Sequence, residues 1–144
     1  MFLLICFFES QAQLRTSRNE RFSIELSNNT VRSINGWKSG PKIGFNFKNR
    51  LELNYVYLMD ISGNEATQES FHGTQVKYYF NPKGKLNIGL GLRIGLYNQQ
   101  FAAVIPSIDF KYKILDNLNV STGIARLDGY PYFDLSFGFK LFKK

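Results

Sequence analysis

The chain has 144 residues, 44% of them hydrophobic, with 14 Phe, 8 Tyr and 1 Trp, a formal net charge of +7 and one cysteine, Cys6. That length suits one domain, a lone cysteine excludes a disulfide framework and a cysteine metal site, and the positive charge permits nucleic acid, anionic lipid or lipopolysaccharide without choosing among them. No run of 18 apolar residues occurs, which excludes a transmembrane helix but not a transmembrane barrel.

Met1 to Phe8, M-F-L-L-I-C-F-F, is a short apolar core, and Ser10-Gln11-Ala12 supplies the small residues that signal peptidase needs. Residues 1–12 therefore read as an export signal cleaved before Gln13, with the usual basic n-region missing. Ile5 is branched where a lipoprotein signal wants a small residue, so Cys6 does not read as a lipid anchor. Residues 13–20 are a polar, basic lead-in, and the patterned domain is 21–144.

The first alternating segment is Arg21 to Ser27, with Phe22, Ile24 and Leu26 against Ser23, Glu25 and Ser27. Asn28 to Pro41 carries Asn-Asn, Asn-Gly, Ser-Gly and Gly-Pro, and reads as a long loop containing Trp37. Lys42 to Lys48 and Leu51 to Met59 alternate again and form a tight antiparallel hairpin about Asn49-Arg50. Asp60 to Ser70 is a second polar loop, and Phe71 to Phe80 a further strand. Asn81-Pro82-Lys83-Gly84 has the composition of a type I turn.

Lys85 to Tyr97 follows, with Leu86, Ile88, Leu90, Leu92, Ile94 and Leu96 on one parity and Asn87, Gly89, Gly91, Arg93, Gly95 and Tyr97 on the other. A helix would smear both sets around its circumference and lose roughly 1 kcal/mol at each glycine, so this is a strand. Phe101 to Leu115 is the next, with a bulge expected at Pro106, which cannot donate to a ladder. Asp116-Asn117 turns into Leu118 to Leu127, and Leu127 to Pro131 turns into the last segment, Tyr132 to Phe142. Eight strands without a helix, with tight turns on the N-terminal side and longer loops on the other, predict an all-β, eight-stranded up-and-down antiparallel barrel.

Which medium meets the apolar face is left open by alternation alone, because a soluble barrel would also accept it. Glycines Gly44, Gly89, Gly91, Gly95, Gly123 and Gly138 share the polar parity, as suits the crowded inside of a narrow barrel. Charges of both signs share it too, and buried charges persist only when paired. A structural polar network in the lumen is predicted from Glu25, Glu52, Lys77, Arg93, Asp109, Lys111, Asp134 and Lys140. The lipid-facing set is then Leu86, Ile88, Leu90, Leu92, Ile94, Phe133, Leu135, Phe137 and Phe139. Trp37, Tyr57, Tyr97, Tyr112 and Tyr132 lie near strand ends, where aromatic rings at headgroup level would form belts.

The export signal, the eight alternating segments and the C-terminal F-D-L-S-F-G-F-K-L-F resemble the small outer-membrane β-barrel proteins of the OmpA and OmpX type, over about residues 20 to 144. The resemblance implies a transmembrane barrel in the outer membrane of a Gram-negative bacterium, in contact with its lipid and lipopolysaccharide. It also implies delivery by the barrel-assembly machinery, which favours a last strand of alternating aromatics ending in Phe. Here Phe142 is followed by Lys143 and Lys144, a departure from that pattern.

Some barrels of this size deacylate lipid A with a His, a Ser two residues on and a distant Glu. The single histidine here lies in Phe71-His72-Gly73-Thr74, with Thr74 where the nucleophile would stand and without the Ser-Asn of that motif; Glu65 and Glu69 are the nearby carboxylates. No catalytic residue, cofactor or metal site is predicted, since nucleophile, base and orienter are not all identifiable. G-L-G-L-R-I-G is no phosphate loop, because no helix follows it. The basic residues of the turn side read as a solvated rim and not as a nucleic-acid surface. Eight strands enclose a lumen that side chains fill, so the expected protein is a monomeric structural or surface-interaction barrel and no open pore. Its contact surfaces would be Asn28 to Pro41 and Asp60 to Ser70. A soluble periplasmic lipocalin-like barrel binding an apolar ligand is the alternative reading, and a lipid A-modifying enzyme the third.

Overall fold

A computed structural model describes residues 22–33, 36–62, 69–127 and 129–143. The export signal and the lead-in, residues 1–20, lie outside the described residues. The strands are β1 (Phe22–Ser33), β2 (Gly36–Phe47), β3 (Leu51–Asp60), β4 (Ser70–Tyr79), β5 (Leu86–Tyr97), β6 (Phe101–Lys113), β7 (Leu118–Leu127) and β8 (Tyr130–Lys143). Each pairs antiparallel with the next, and β8 returns to β1 to close the barrel. The period-2 pattern fits this: with no second layer to pack against, one parity of each strand is buried when the sheet curls until that parity faces itself.

Asn28 to Pro41 is not a loop. β1 and β2 pair residue for residue from Phe22↔Phe47 to Ser33↔Gly36, leaving only residues 34–35 between them. Alternation continues beneath the turn-forming residues, because Asn29, Val31 and Lys38 are buried while Asn28, Arg32, Trp37 and Pro41 are exposed. Composition suggested a loop where side-chain parity still specified a strand. Pro41 merely interrupts the β2–β3 ladder, which passes from Ser39↔Met59 to Lys42↔Val56 without a change of register.

This alters the two ends of the barrel. On the side away from the N-terminus the connections are 34–35, 61–69, 98–100 and 128–129, and on the other they are 48–50, 80–85 and 114–117. The expected asymmetry of long loops against short turns is therefore absent, apart from 61–69, and the up-and-down topology rests on the pairing itself. Positive φ at Lys48 and Asn49 (53° each) and at Asn98 and Gln99 (49° and 60°) lets two hairpins reverse with the twist of their strands.

Pro106 produces no bulge in the β5–β6 ladder, which runs unshifted from Leu86↔Tyr112 to Tyr97↔Phe101. Its effect falls on the other edge, where the β6–β7 ladder stops at Ser107↔Ala125. Among the described residues the one register shift lies between Ile24 and Glu25, on the β1–β8 seam.

The interior has two storeys. Toward the short-turn end and the middle it is polar and charged, while toward the opposite end Val31, Val56, Leu58, Phe71, Ala103, Ile105 and Tyr132 form an apolar cluster. Phe71 fits there because the facing pair Gly73↔Gly95 carries no side chain: a Cβ on Gly95 would run into the Phe71 ring, the His72 carbonyl and the Gly73 Cα. Gly95→Ala should destabilise the barrel by about 1–3 kcal/mol, the usual cost of overpacking, as read from urea unfolding in detergent micelles.

Candidate functional site

The charged storey is assembled by strands far apart in sequence. Lys111 on β6 reaches across to Glu25 on β1 (Nζ to Oε2, 2.8 Å) and to Glu52 on β3. Asn119 Nδ2 donates to the same Glu25 oxygen at 3.0 Å, and Asn46 Nδ2 to Glu52 Oε1 at 3.0 Å. One ammonium thus holds two carboxylates, and each carboxylate also has a neutral donor.

Beside it, Lys77 on β4 pairs with Asp109 on β6, whose other oxygen accepts from Ser107 Oγ at 2.7 Å. Higher in the barrel, Arg93 on β5 donates to Asp134 Oδ2 on β8 at 2.7 Å and to the Tyr132 hydroxyl. Its guanidinium also lies over the rings of Tyr132 and Phe71, at 5.5 and 6.0 Å from their centroids. This contact joins the charged storey to the apolar one. Near the short-turn end Lys140 Nζ donates to Asn49 Oδ1 at 3.0 Å.

Glycines provide the space. A Cβ on Gly91 would strike the Asp109 carboxylate and Ser107 Oγ, and one on Gly138 would strike Glu25 and Asn119. Glu25, Asp109 and Asp134 each lie over a strand position without a side chain, which is why small residues and charges share one parity.

All eight residues of the predicted polar network are at most 7% exposed. Two further buried cations escaped notice. Lys42 lies within electrostatic reach of Glu25, Glu52 and Asp134, and Lys38 pairs with Glu69 at 2.8 Å. Both share the parity of Gly44 and Asn46: Lys42 opens the segment already read as a strand, and extending that segment backwards by alternation would have reached Lys38.

The nine aliphatic and aromatic residues expected to meet lipid are 39–57% exposed, on the outside of the barrel. Among the five strand-end aromatics, Trp37, Tyr57 and Tyr112 are exposed. Tyr132 and Tyr97 depart from that expectation. Tyr132 is buried in the apolar cluster and accepts from Arg93, and Tyr97 is half-buried, its ring 5.0 Å from that of Phe71. Parity explains both, since Tyr97 follows Arg93 and Gly95, and Tyr132 precedes Asp134, on the inward register.

His72 lies within β4, paired with Tyr57 and Leu96. It shares the parity of exposed Thr74, Val76 and Tyr78, whereas Glu69 turns to Lys38, so a His/Thr/Glu group is not assembled from these three. Glu65 lies outside the described residues. Among the described residues no three His, Cys, Asp or Glu side chains form a group that could hold a metal ion. What the site does chemically is tie the wall together: cations and carboxylates from seven strands face one another across the lumen.

No family model matches this chain, and neither does any curated protein. Solved structures do. A de novo designed transmembrane β-barrel superimposes with a TM-score of 0.65 at 9% identity, over 86% of this chain and 98% of the design. A second designed barrel, solved by solution NMR, gives 0.61 at 8% identity, over 87% and 98%. Neisserial surface protein A gives 0.44 at 16% identity, over 83% and 94%. The chain has the fold of an eight-stranded transmembrane β-barrel.

Replacing Lys111 by Met leaves Glu25 and Glu52 buried without their shared cation. The expected cost is about 3–5 kcal/mol in urea-unfolding free energy, most of it recovered in the triple variant Lys111→Met, Glu25→Gln, Glu52→Gln.

Proposed function

We propose that this chain is an integral β-barrel protein of a Gram-negative outer membrane, with a structural or surface-interaction role and neither an enzyme nor an open pore. The observation that carries the reading is an inverted distribution of polarity. Large apolar side chains such as Leu90, Ile94, Val104, Phe133 and Phe137 cover the outside at 47–60% exposure, while ten charged side chains among the described residues are buried within. In water such an exterior would be an aggregation surface far larger than a soluble monomer tolerates, whereas hydrocarbon accepts it. The strands, of 10 to 14 residues, have the length a tilted strand needs to cross a bilayer.

Trp37, Tyr57 and Tyr112 sit near strand ends on the exposed face, as headgroup-level anchors would. Outer-membrane lipid and lipopolysaccharide are the molecules this surface meets, and the barrel-assembly machinery is the partner that inserts it. The barrel acts as a monomer, since closure leaves no sheet edge for a second copy along most of its height. Ion pairs crossing the lumen deny passage to solutes. With Asn28 to Pro41 built into β1 and β2, the outward contact surface shrinks to the 61–69 connection and the strand tips beside it.

A soluble lipocalin-like barrel would need this polarity reversed. Fractionation decides between them: the protein should require detergent for extraction and should migrate differently on gels before and after boiling, and folded protein in the soluble periplasmic fraction would sink the reading. Leu90→Arg, near the middle of β5, should reduce folding stability in lipid vesicles by about 2–4 kcal/mol; a change within about 0.5 kcal/mol, as at a water-exposed site, would count against a lipid-facing β5.

A further inference from the structure

Pairing fixes the tilt of the strands. Followed from partner to partner round the wall, the row that leaves β1 at Arg32 passes Phe133 and Ile124 and returns to β1 at Phe22, ten residues lower. With about 3.3 Å per residue and about 4.8 Å between neighbouring strands, that descent over one circuit sets a tilt of about 40°. Phe22 then lies about 25 Å below Arg32 along the barrel axis, the height of the apolar band of an outer-membrane barrel.

The same tilt sets the height of Arg126. It stands two strands from Arg32 and two residues above Ile124, so the descent across the strands and the climb along β7 nearly cancel. Both arginines are exposed on the outward parity. They therefore share one level at the loop-side edge of the apolar band, their Cα atoms roughly 12 Å apart round the wall. Arg126 Nε donates to the Gly129 carbonyl at 2.9 Å, and Arg32 lies over the Trp37 ring at 5.4 Å. Neither is paired with a carboxylate among the described residues, and each keeps N–H groups for a bidentate phosphate contact.

Below Arg32 the outer surface departs from its apolar rule. Asn28, Thr30 and Ser39 take outward positions and bond to one another: Ser39 Oγ donates to Asn28 Oδ1 at 3.2 Å and lies 3.1 Å from Thr30 Oγ1. An open groove of about 510 Å³ runs past Asn28, Ser39 and Pro41 to Leu26 and Phe137.

We propose that the outer face of β7, β8 and β1 holds one lipid A molecule, with Arg32 and Arg126 on the phosphates at the two ends of its disaccharide and the acyl chain nearest Arg32 in the groove. The inference rests on the membrane reading above and gives lipopolysaccharide a defined seat on the barrel. Phe133, Leu135 and Ile124 lie below the gap between the arginines, where the remaining chains on that side descend. From the loop side inward, the surface thus runs from cations through neutral polar groups to hydrocarbon, the order of groups along lipid A itself. A glycerophospholipid with one phosphate reaches only one arginine, and its esters accept hydrogen bonds without donating any. The amide and hydroxyl groups on the chains of lipid A do both, as the Asn28–Thr30–Ser39 cluster requires.

The test is native mass spectrometry of the full chain, folded in detergent micelles and titrated with bisphosphoryl lipid A, monophosphoryl lipid A or phosphatidylglycerol. One molecule of the bisphosphoryl form should bind, about tenfold more tightly than either of the others. Arg32→Gln and Arg126→Gln should each lower its affinity by about tenfold, while Lys83→Gln, in the turn at the opposite end, leaves it unchanged. Equal binding of the three lipids, or arginine variants that bind as the unaltered chain does, would overturn the site and leave the membrane reading standing. A chain that folds and stays monomeric without detergent would overturn the membrane reading itself, whatever it binds.

Discussion

Everything in this barrel depends on β8 pairing with β1. The seam runs from Ser23↔Lys143 and Ile24↔Phe142 up to Arg32↔Phe133, with one register shift where Glu25 begins. Hydrocarbon offers backbone N–H and C=O groups no partner, so an open sheet of these strands would have no place in a bilayer. Closure also creates an inside. Only once the ends meet can Lys111 reach Glu25, 86 residues away in sequence.

Within that enclosure the charges are constrained by space as much as by pairing. Burying a carboxylate is expensive unless a cation and further donors surround it, and a narrow lumen has little volume for long side chains. The structure meets both demands by setting acids over glycines on neighbouring strands, Glu25 against Gly138 and Asp109 against Gly91. Arg93 then marks a boundary, with Asp134 below it and the rings of Phe71 and Tyr132 around it. Above that level the inward positions are apolar apart from Lys38, which pairs with Glu69, and the β6–β7 ladder stops near the same height.

The eight strands, their order and the inward parity of the charges were legible in the sequence because period-2 alternation is a backbone property that each segment carries by itself. Loop boundaries were less so. Asn28 to Pro41 is dense in residues that favour turns, yet its pairing with the opposite arm of the same hairpin outweighs those local preferences. Lys38 was missed for that reason, since a segment taken for a loop has no inside, whereas Lys42 opened a segment already read as a strand and its inward parity was overlooked. Tyr97 and Tyr132 were misplaced by weighing an aromatic's position along the strand above its parity. The split seam was invisible: Pro106 announces that a donor is missing but not which of two neighbouring strands loses it.

In the outer membrane proposed above, the trimmed rim would have an immunological consequence. With connections of two or three residues at 34–35, 98–100 and 128–129, three of the four outward hairpins end almost as soon as their strands do. In a membrane coated with lipopolysaccharide, such tips would lie beneath the sugar layer, out of reach of antibodies and phage tail fibres. Antigenic variation would then concentrate in the 61–69 segment, and a peptide grafted for surface display belongs there too.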